Sequence, residues 1–278
     1  MKITKKITIC IPCYNSEKYI ATTIQSILAS TYKNFEIHII DNASTDNTIQ
    51  IIKSIQKQNK NIFLHRNKVN IGMFPNMNKC IKIANGKYIK IICSDDILYP
   101  NCLEEEVRIL DKHKDVVLVY GASNIITDKN NVLFTRKFFN RDRKINGGVL
   151  INQILLSGRN PLGEPTGILL RTSILKKYKL HFDANFKYVS DLELWIQMLQ
   201  HGNGYYCNLI QSGFRLHKNQ GTYHLYRRAV DEHIMLFSKY SEEFGLRLIN
   251  HLIIYIKLLI HYYEKIIVLF FLLKKYED

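Results

Sequence analysis

The chain has 278 residues, of which 46% are hydrophobic and 23% are charged. This balance excludes a disordered chain, and the length allows one large domain with a complete hydrophobic core. The 39 Lys and Arg residues exceed the 24 Asp and Glu residues, which gives a formal net charge of +15. Five prolines and 13 glycines are too few for a collagen-like or linker-rich protein.

The first hundred residues alternate β-branched apolar runs with segments whose apolar residues recur at helical spacing, such as Ile20, Ile24 and Ile27. The predicted strands are residues 7–11, 35–40, 62–64 and 88–92, and the predicted helices are residues 17–30, 46–58 and 75–84. This alternation predicts an α/β fold with a Rossmann-like, mostly parallel sheet and flanking helices. Ligands of such sheets bind beyond the carboxyl ends of the strands.

Beyond Pro100 the pattern is less regular. Helices are predicted over residues 101–112, 149–157 and 191–201, and strands over residues 116–120, 166–170, 205–208 and 214–217. A turn is predicted at 128–131, and the basic residues 137–144 are typical of a loop. We expect residues 1–225 to form one domain, with a first half of 1–110 and a second half of 111–225.

The tail, residues 226–278, is predicted to be a helical extension. In residues 246–273 polar residues recur every three or four positions and leave a wide apolar face, followed by Lys274 and Lys275. Such a face suits a helix on an anionic membrane surface, and equally a helix packed on the body or on a second copy in a homodimer. The pattern leaves these alternatives open.

Six cysteines are scattered through apolar runs, which argues against a disulfide framework. Cys10 and Cys13 form a C-x-x-C pair, but the pair ends a strand-like run instead of opening a helix, and no second pair stands at zinc spacing. The apolar run 7–11 ends at Pro12 and is too short for a signal-peptide core. We therefore expect reduced cysteines and a cytoplasmic protein, with peripheral contact to the inner face of the membrane as the alternative that the tail allows.

Two acids stand at element ends where ligands of a parallel sheet bind. Asp41 ends the second predicted strand, where a carboxylate can accept hydrogen bonds from a base or ribose, or can simply form a turn. Asp191 follows Ser190 at the start of a predicted helix. It can cap that helix, or it can take a proton from an incoming hydroxyl if it faces the cleft. Position alone does not separate the two roles.

Asp95 and Asp96 follow the apolar run 88–92. Adjacent carboxylates repel each other unless a cation relieves the repulsion, so we expect Mn²⁺ or Mg²⁺ here. Such an ion would neutralise charge on a diphosphate leaving group. The alternative is a solvated Asp-Asp turn. The chain has neither a G-x-x-x-x-G-K-[ST] loop nor a G-x-G-x-x-G fingerprint, so phosphates would depend on the ion and on basic side chains.

Several separate segments together resemble family 2 glycosyltransferases, nucleotide-sugar enzymes of GT-A fold. The resemblance is dense over residues 7–103, looser from about 160 to 191 and over 214–217, and absent from the tail. The matching segments are Ile-Pro-Cys-Tyr-Asn (11–15), Thr-Tyr-Lys-Asn-Phe-Glu-Ile (31–37), Ile-Asp-Asn-Ala-Ser-Thr-Asp-Asn-Thr (40–48), Asn-Ile-Gly (70–72), Asn-Gly-Lys-Tyr-Ile (85–89) and Ser-Asp-Asp-Ile-Leu-Tyr-Pro (94–100).

The resemblance implies roles for the matching residues in the first segments. Asp41 lies where family members contact the nucleotide base, and Pro12, Tyr14, Asn15 and Asn42 belong to the same donor-binding region. Many members carry a second acid where this chain has Asn42, so the resemblance implies altered recognition of the base here.

The resemblance also implies roles near the metal and the acceptor. Asp95 and Asp96 match the end of the aspartate motif that holds the metal and the donor, and Asp191 matches the base of inverting members. His217 resembles a late residue that reaches the metal, and Arg215 one that reaches the diphosphate. The motif commonly begins with an acid where this chain has Cys93, so the metal would rest on fewer carboxylates.

The function that the resemblance implies is inverting transfer of a hexosyl or N-acetylhexosaminyl group from a nucleotide-diphosphate donor, expected to be a UDP-sugar. The expected acceptor is a hydroxyl of a surface glycan or lipid-linked glycan, such as capsule, lipooligosaccharide or O-antigen. The basic cluster Arg136, Lys137, Arg141, Arg143 and Lys144 lies in one predicted loop, which favours an anionic acceptor or plain surface charge over nucleic acid. The alternatives are an inactive sugar-nucleotide-binding module and a sugar-phosphate nucleotidyltransferase, which would need a glycine-rich basic loop after the first strand.

Overall fold

The computed structural model describes residues 6–217, 220, 225–246, 256–258 and 260. The strands are β1 Ile7–Cys13, β2 Phe35–Asp41, β3 Ile62–Arg66, β4 Tyr88–Ile91, β5 Ile97–Leu98, β6 Val116–Ile126, β7 Val132–Arg136, β8 Arg143–Ile145, β9 Ile168–Arg171 and β10 Asn203–Arg215. The helices are α1 Ile20–Leu28, α2 Thr48–Gln56, α3 Met73–Ile83, α4 Cys102–Lys112, α5 Gly147–Ser157, α6 Thr172–Tyr178, α7 Ser190–Leu199 and α8 Ala229–Tyr240.

All ten strands belong to one sheet, whose central order is β3-β2-β1-β4-β9-β6-β10-β5, with β7 paired to β6 and β8 paired to β10. Strands β1, β2, β3, β4, β6 and β10 run in one direction, and the other four run antiparallel to their neighbours. The predicted α/β fold with a mostly parallel sheet is confirmed.

The strands are buried on both faces because their side chains alternate between two cores. Ile7, Ile9 and Ile11 of β1 point into the core that α1, α2 and α4 cover, whereas Cys10 points into the core that α3, α5 and α7 cover. This two-sided burial explains why the strands of the first half form almost continuous apolar runs.

Several predicted boundaries were wrong, for local reasons. The helix predicted from residue 17 begins at Ile20, because residues 16–19 form a hydrogen-bonded turn. The two strands predicted over 205–208 and 214–217 are the single strand β10, which pairs with β6 through two register shifts. Gly213 lets β10 approach β5, since a Cβ there would lie 2.7 Å from Cγ1 of Ile97.

The second half also contains elements that the pattern did not predict. Pro165–Gly167 is a 3-10 turn, so β9 begins at Ile168 and not at residue 166. Part of the basic stretch 137–144 is the short strand β8, and α6 and β5 were missed altogether. These elements are too short to show a reliable periodicity.

The described part of the tail packs on the body of the protein. Tyr226–Arg228 is a 3-10 turn rather than an α-helix, and α8 follows it with Leu236, Phe237 and Tyr240 buried in the same core as α7. Most of residues 246–273, where the apolar face was predicted, lies outside the described residues. No helix within the described ranges is long and apolar enough to cross a membrane.

A buried ion pair joins the sheet to α4. Nζ of Lys90 lies 2.8 and 3.1 Å from the two carboxylate oxygens of Glu106, and both side chains are fully buried. Burial raises the pKa of Glu106 from 4.5 to about 7, although Lys90 opposes the shift. Because folding raises the pKa of Glu106, its ionisation lowers the free energy of unfolding at pH values above 4.5, its ordinary pKa. This loss of stability is absent below pH 4.5, where the acid is protonated in both states.

We predict that Lys90→Met lowers the free energy of unfolding by about 3–5 kcal/mol at pH 8, because it leaves a buried carboxylate unpaired. The loss should shrink markedly at pH 5, where Glu106 is neutral in the fold. Urea unfolding at both pH values measures it. Lys87→Met, which removes a half-exposed pair with Asp111, is the matched control and should cost under about 1 kcal/mol. An equal loss for Lys90→Met at both pH values would contradict the assignment.

Candidate active site

The candidate site lies where the carboxyl ends of β2, β1 and β4 meet. These neighbouring strands run parallel, so the loops after Cys13, Asp41 and Ile91 leave the same edge of the sheet. The end of β10 reaches the same loops, because the backbone N–H of Arg215 donates to Asp96 at 3.0 Å. The sheet therefore brings together acids that are far apart in the chain.

Asp41 is fully buried at the end of β2. Its carboxylate accepts two hydrogen bonds of 3.3 and 3.2 Å from the backbone N–H of Ser44, which close the turn that follows the strand. Nε of Arg66 lies 3.4 Å from Oδ2 of Asp41, and the Arg66 side chain is 57% exposed. Asp41 is thus both the turn-forming residue and the anion that positions an exposed guanidinium at the site.

Asn15 joins the first two loops of the site. Its backbone N–H donates to Oγ of Ser44 at 2.9 Å, and its Oδ1 accepts the backbone N–H of Thr45 at 2.9 Å. It adopts a left-handed φ of 47°, which Asn tolerates better than most residues. Pro12 is half-buried and pairs with Ile40 in the sheet, while the neighbouring Tyr14 side chain is exposed. Tyr14 and Asn15 are the exposed residues of this group, and the Tyr14 ring has no hydrogen-bonding task in the described loops.

Asn42 uses both ends of its amide to hold the segment 67–72. Its Nδ2 donates to Oδ1 of Asn70 at 2.7 Å and to the carbonyl of Gly72 at 3.2 Å. Its Oδ1 accepts from Nδ2 of Asn67 at 2.8 Å and from the backbone N–H of Ile71 at 3.0 Å. A carboxylate cannot donate hydrogen bonds. This network therefore gives a structural reason for the departure from an acid at this position.

Asp96 anchors the loop that follows β4. Its Oδ2 accepts from the Thr166 hydroxyl at 2.6 Å, and its Oδ1 accepts from the backbone N–H of Arg215. The residue is only 1% exposed, and burial together with the neighbouring Asp95 raises its pKa well above the usual value for an aspartate. Both oxygens of Asp96 thus serve contacts within the protein.

Asp95 is the more accessible of the two adjacent acids. Its Oδ2 lies 2.8 Å from Nε2 of His217, and about a quarter of its side chain is exposed. Sγ of Cys93 and carboxylate oxygens of Asp95 and Asp96 all lie within 4.8 Å of one another. Of the three residues predicted to hold a metal, Asp95 and Asp96 lie together with Cys93, and His217 contacts this group through Asp95.

Arg215 supports this group from behind. It is 1% exposed, and its side chain donates to the backbone carbonyls of Asp95 at 2.6 Å, Thr127 at 2.9 Å and Asp128 at 3.1 Å. The guanidinium also stacks over the ring of Tyr19 at 4.8 Å. Nε and Nη1 of Arg215 thus fix the position of the Asp95 main chain, whereas its buried Nη2 has no hydrogen-bond partner among the described residues, and a role of Arg215 at the diphosphate stays a prediction.

Arg136 and Glu164 form an ion pair beside the acid loop. Nη1 of Arg136 lies 2.6 Å from Oε1 of Glu164, a second contact joins Nη2 to Oε2, and Nη2 also donates to the Ser123 hydroxyl at 2.8 Å. Burial disfavours the charge on Arg136, but Glu164, followed by Asp96 and Asp191, outweighs it and raises the pKa. Arg136 is thus a cation within electrostatic range of both the acid loop and Asp191.

The structure separates Arg136 from the other members of the predicted basic cluster. Arg143 lies over the ring of Phe139, and Lys144 pairs with Asp115 on the surface. Sequence reasoning missed both Glu164 and Thr166, although they lie in Gly-Glu-Pro-Thr-Gly (163–167), whose composition is typical of a structured turn. Gly163 adopts a φ of 97°, and a Cβ there would lie 3.2 Å from Nη2 of Arg136.

Asp191 lies in the first turn of α7. Val189 occupies the N-cap position and makes no side-chain capping bond, so Asp191 is not at that position, although its Oδ1 accepts the backbone N–H of Leu192 at 2.8 Å. Its Oδ2 accepts from Nδ2 of Asn160 at 3.0 Å. Oδ1 of Asn160 in turn accepts the backbone N–H of Gly163 at 2.9 Å. Asp191 is therefore tied to the same turn that carries Glu164.

Residues 8–179 match the sequence model described as glycosyl transferase family 2. The chain belongs to this family. The resemblance inferred from the motifs is confirmed, and the match includes the acid loop, Arg136 and Glu164, whereas Asp191 and His217 lie beyond it.

Curated relatives share about three tenths of their residues with this family member. An uncharacterized glycosyltransferase of Haemophilus influenzae is 29% identical over 218 residues, which cover 77% of this chain and 66% of the relative. One of Rickettsia prowazekii is 32% identical over 78% of this chain and 65% of its own length. The putative glycosyltransferase EpsE of Bacillus subtilis is 29% identical over 78% of this chain and 75% of its own length. The chain thus spans just under two thirds of the first two relatives.

Solved structures of other proteins share the fold. Staphylococcus aureus TarS 1–349 in complex with UDP-GlcNAc superposes with a TM-score of 0.65 at 18% identity, over 84% of this chain and 71% of that one. The mannosyltransferase PcManGT of Pyrobaculum calidifontis, in complex with GDP-Man and Mn²⁺, gives a TM-score of 0.60 at 16% identity. The superposition covers 86% of this chain and 64% of that one. These likenesses confirm the GT-A fold of this family 2 chain.

We predict that Arg136→Met lowers the free energy of unfolding by about 2–4 kcal/mol, since it removes both contacts to Glu164 and the hydrogen bond to Ser123 from a largely buried position. Arg141→Met removes an exposed positive charge from the same basic cluster and should change stability by under about 0.5 kcal/mol. Urea unfolding of the two variants measures the difference. Equal stability of both would show that Arg136 is only a surface charge.

Proposed function

We propose that this family 2 chain transfers a sugar from a nucleotide-diphosphate donor, specifically a UDP-sugar, to a hydroxyl group with inversion at the anomeric carbon. The observation that carries the proposal is the grouping of Asp95 and His217 beside the buried Asp96. A donor diphosphate needs positive charge at its binding site, and this acid group can supply it by holding a divalent cation. The complexes of TarS with UDP-GlcNAc and of PcManGT with GDP-Man support a nucleotide sugar.

The residues present fit a divalent cation. Asp95 and His217 offer a carboxylate oxygen and an imidazole nitrogen within 2.8 Å of each other, a donor set that suits Mn²⁺ and also accepts Mg²⁺. Asp96 lies behind them and fixes the loop, and the Mn²⁺ in the PcManGT complex supports the choice of ion. When bound, the cation would neutralise the negative charge that grows on the departing diphosphate.

The donor nucleotide has candidate partners at the ends of β1 and β2. The exposed Tyr14 ring can stack on a base, and the exposed guanidinium of Arg66 can contact the base or a phosphate. Asp41 and Asn42 are buried behind them and set the shape of this region through the turn 41–44 and the segment 67–72. We propose that they act on the donor mainly by positioning these loops.

Asp191 is the proposed general base. A carboxylate with one oxygen on the N-terminal turn of α7 and the other on Asn160 is held in a fixed orientation, which favours proton transfer from a bound hydroxyl. Arg136 lies in electrostatic range of both Asp191 and Asp96, which supports a common site for the base and the acid loop. The acceptor hydroxyl would attack the anomeric carbon, its proton would pass to Asp191, and the bond to the diphosphate would break.

The proposed acceptor is a surface glycan or a lipid-linked glycan, and the transferred group is a hexosyl or N-acetylhexosaminyl unit. The net charge of +15, with exposed Arg141 and Arg143 on the second half, favours an acceptor that carries phosphate or lies on an anionic membrane. A homodimer and membrane contact through the tail remain proposals of the same kind. The inactive binding module is the second candidate, and Cys93 at the acid loop is the observation that favours it.

We predict that Asp191→Asn keeps donor binding and lowers transfer by about 10²–10⁴-fold, because Asn preserves the shape and one acceptor oxygen but cannot take a proton. Donor binding is measured by calorimetry and turnover by nucleotide release with a glycan acceptor. Asp231→Asn, an exposed change on α8, is the matched control and should leave turnover unchanged. Wild-type turnover in Asp191→Asn would exclude this residue as the base.

A further inference from the structure

The helix α8 lies outside the part of the chain that matches the family model, yet it contacts the helix that carries Asp191. Leu236, Phe237 and Tyr240 of α8 are buried in the core that also contains much of α7. A helix needed only to cover this core would present apolar side chains. In addition, two buried acids link α8 to α7 and its entry, and each helix supplies one of them.

The first acid is Glu232 of α8, which is 3% exposed. Its Oε2 accepts three backbone N–H groups in succession, from Lys187 at 2.8 Å, Tyr188 at 2.6 Å and Val189 at 3.2 Å. Hydrogen bonds from N–H groups to an ionised carboxylate are stronger than those between neutral groups. One side chain of α8 therefore fixes the three peptide groups that lead directly into α7.

The second acid is Glu193 of α7, which is fully buried one helical half-turn beyond Asp191. Its Oε1 accepts from the Tyr240 hydroxyl at 2.7 Å and from Nζ of Lys239 at 2.7 Å. The start of α7 is thus held from α8 on both sides of Asp191. Rotation or translation of this turn would break contacts at Glu232 or at Glu193.

We propose that Glu232 is a positioning residue that sets the orientation of Asp191 by fixing the backbone 187–189. The inference rests on the proposed function, in which Asp191 is the base. Displacement of a catalytic group by about 1 Å can cost on the order of 100-fold in rate. Three backbone N–H groups without their acceptor would leave the entry to α7 free to shift by such amounts, while the donor site on the other loops keeps its contacts.

The test is Glu232→Ala, with Asp231→Ala on the same helix as the matched control. We expect kcat for transfer to fall by about 10–100-fold in Glu232→Ala, with the donor Kd and the acceptor KM unchanged, whereas Asp231→Ala behaves as wild type. Wild-type kcat in Glu232→Ala would overturn the proposal. If that variant fails to fold, Glu232→Gln, which retains one acceptor oxygen without the charge, should lower kcat several-fold, and an unchanged kcat would count equally against it.

A double-mutant cycle separates positioning of the base from a general structural role. In the Asp191→Asn background Glu232→Ala should cause no further loss of the residual transfer rate, since no base remains to be oriented. The same fold-loss in both backgrounds would overturn the proposal. Failure of the proposed function is a distinct result, because Asp191→Asn alone would then keep wild-type transfer whatever Glu232→Ala does.

Discussion

Asp96 joins three strands of the sheet from a position that solvent does not reach. It follows β4, its side chain accepts a hydrogen bond from Thr166 just before β9, and it accepts another from the backbone at the end of β10. A carboxyl group this deeply buried is costly unless its oxygens are hydrogen-bonded. Those two bonds fix the loop 93–96 to elements 70 and 119 residues away, and this fixed loop places Asp95 against His217.

The charged side chains around this loop form two groups, one behind the loop and one in front of it. Arg215 lies behind it, where Nε and Nη1 donate to backbone carbonyls and so support the loop. In front of the loop lie the carboxylates of Asp95, Glu164 and Asp191, and Arg136 pairs with Glu164. A divalent cation held at Asp95 would add the positive charge that the proposed diphosphate needs, which links the electrostatics of the chain to the proposed chemistry.

The sequence predicts the first half of the molecule well because the information is local there. Strands of the parallel half are read from apolar runs, and the acids Asp41 and Asp95 are found at their ends by position alone. The features that the sequence does not predict depend on partners that are distant in the chain. Strand β9 lies antiparallel between β4 and β6, and Arg136 pairs with Glu164, which is 28 residues away. The Asn42 network shows the same limit, since the departure from an acid is visible in the sequence but its cause requires the fold.

In the proposed function, Asp95 and His217 hold a divalent cation that binds the diphosphate of a nucleotide sugar. Calorimetric titration of UDP-, GDP- and dTDP-sugars in the presence of Mn²⁺, Mg²⁺ or EDTA tests it most directly, with Asp95→Asn measured alongside. We expect a UDP-sugar to bind with the metal and to lose at least about tenfold in affinity both in EDTA and in Asp95→Asn. Binding that is indifferent to EDTA and to this substitution, or no binding of any nucleotide sugar, would contradict it.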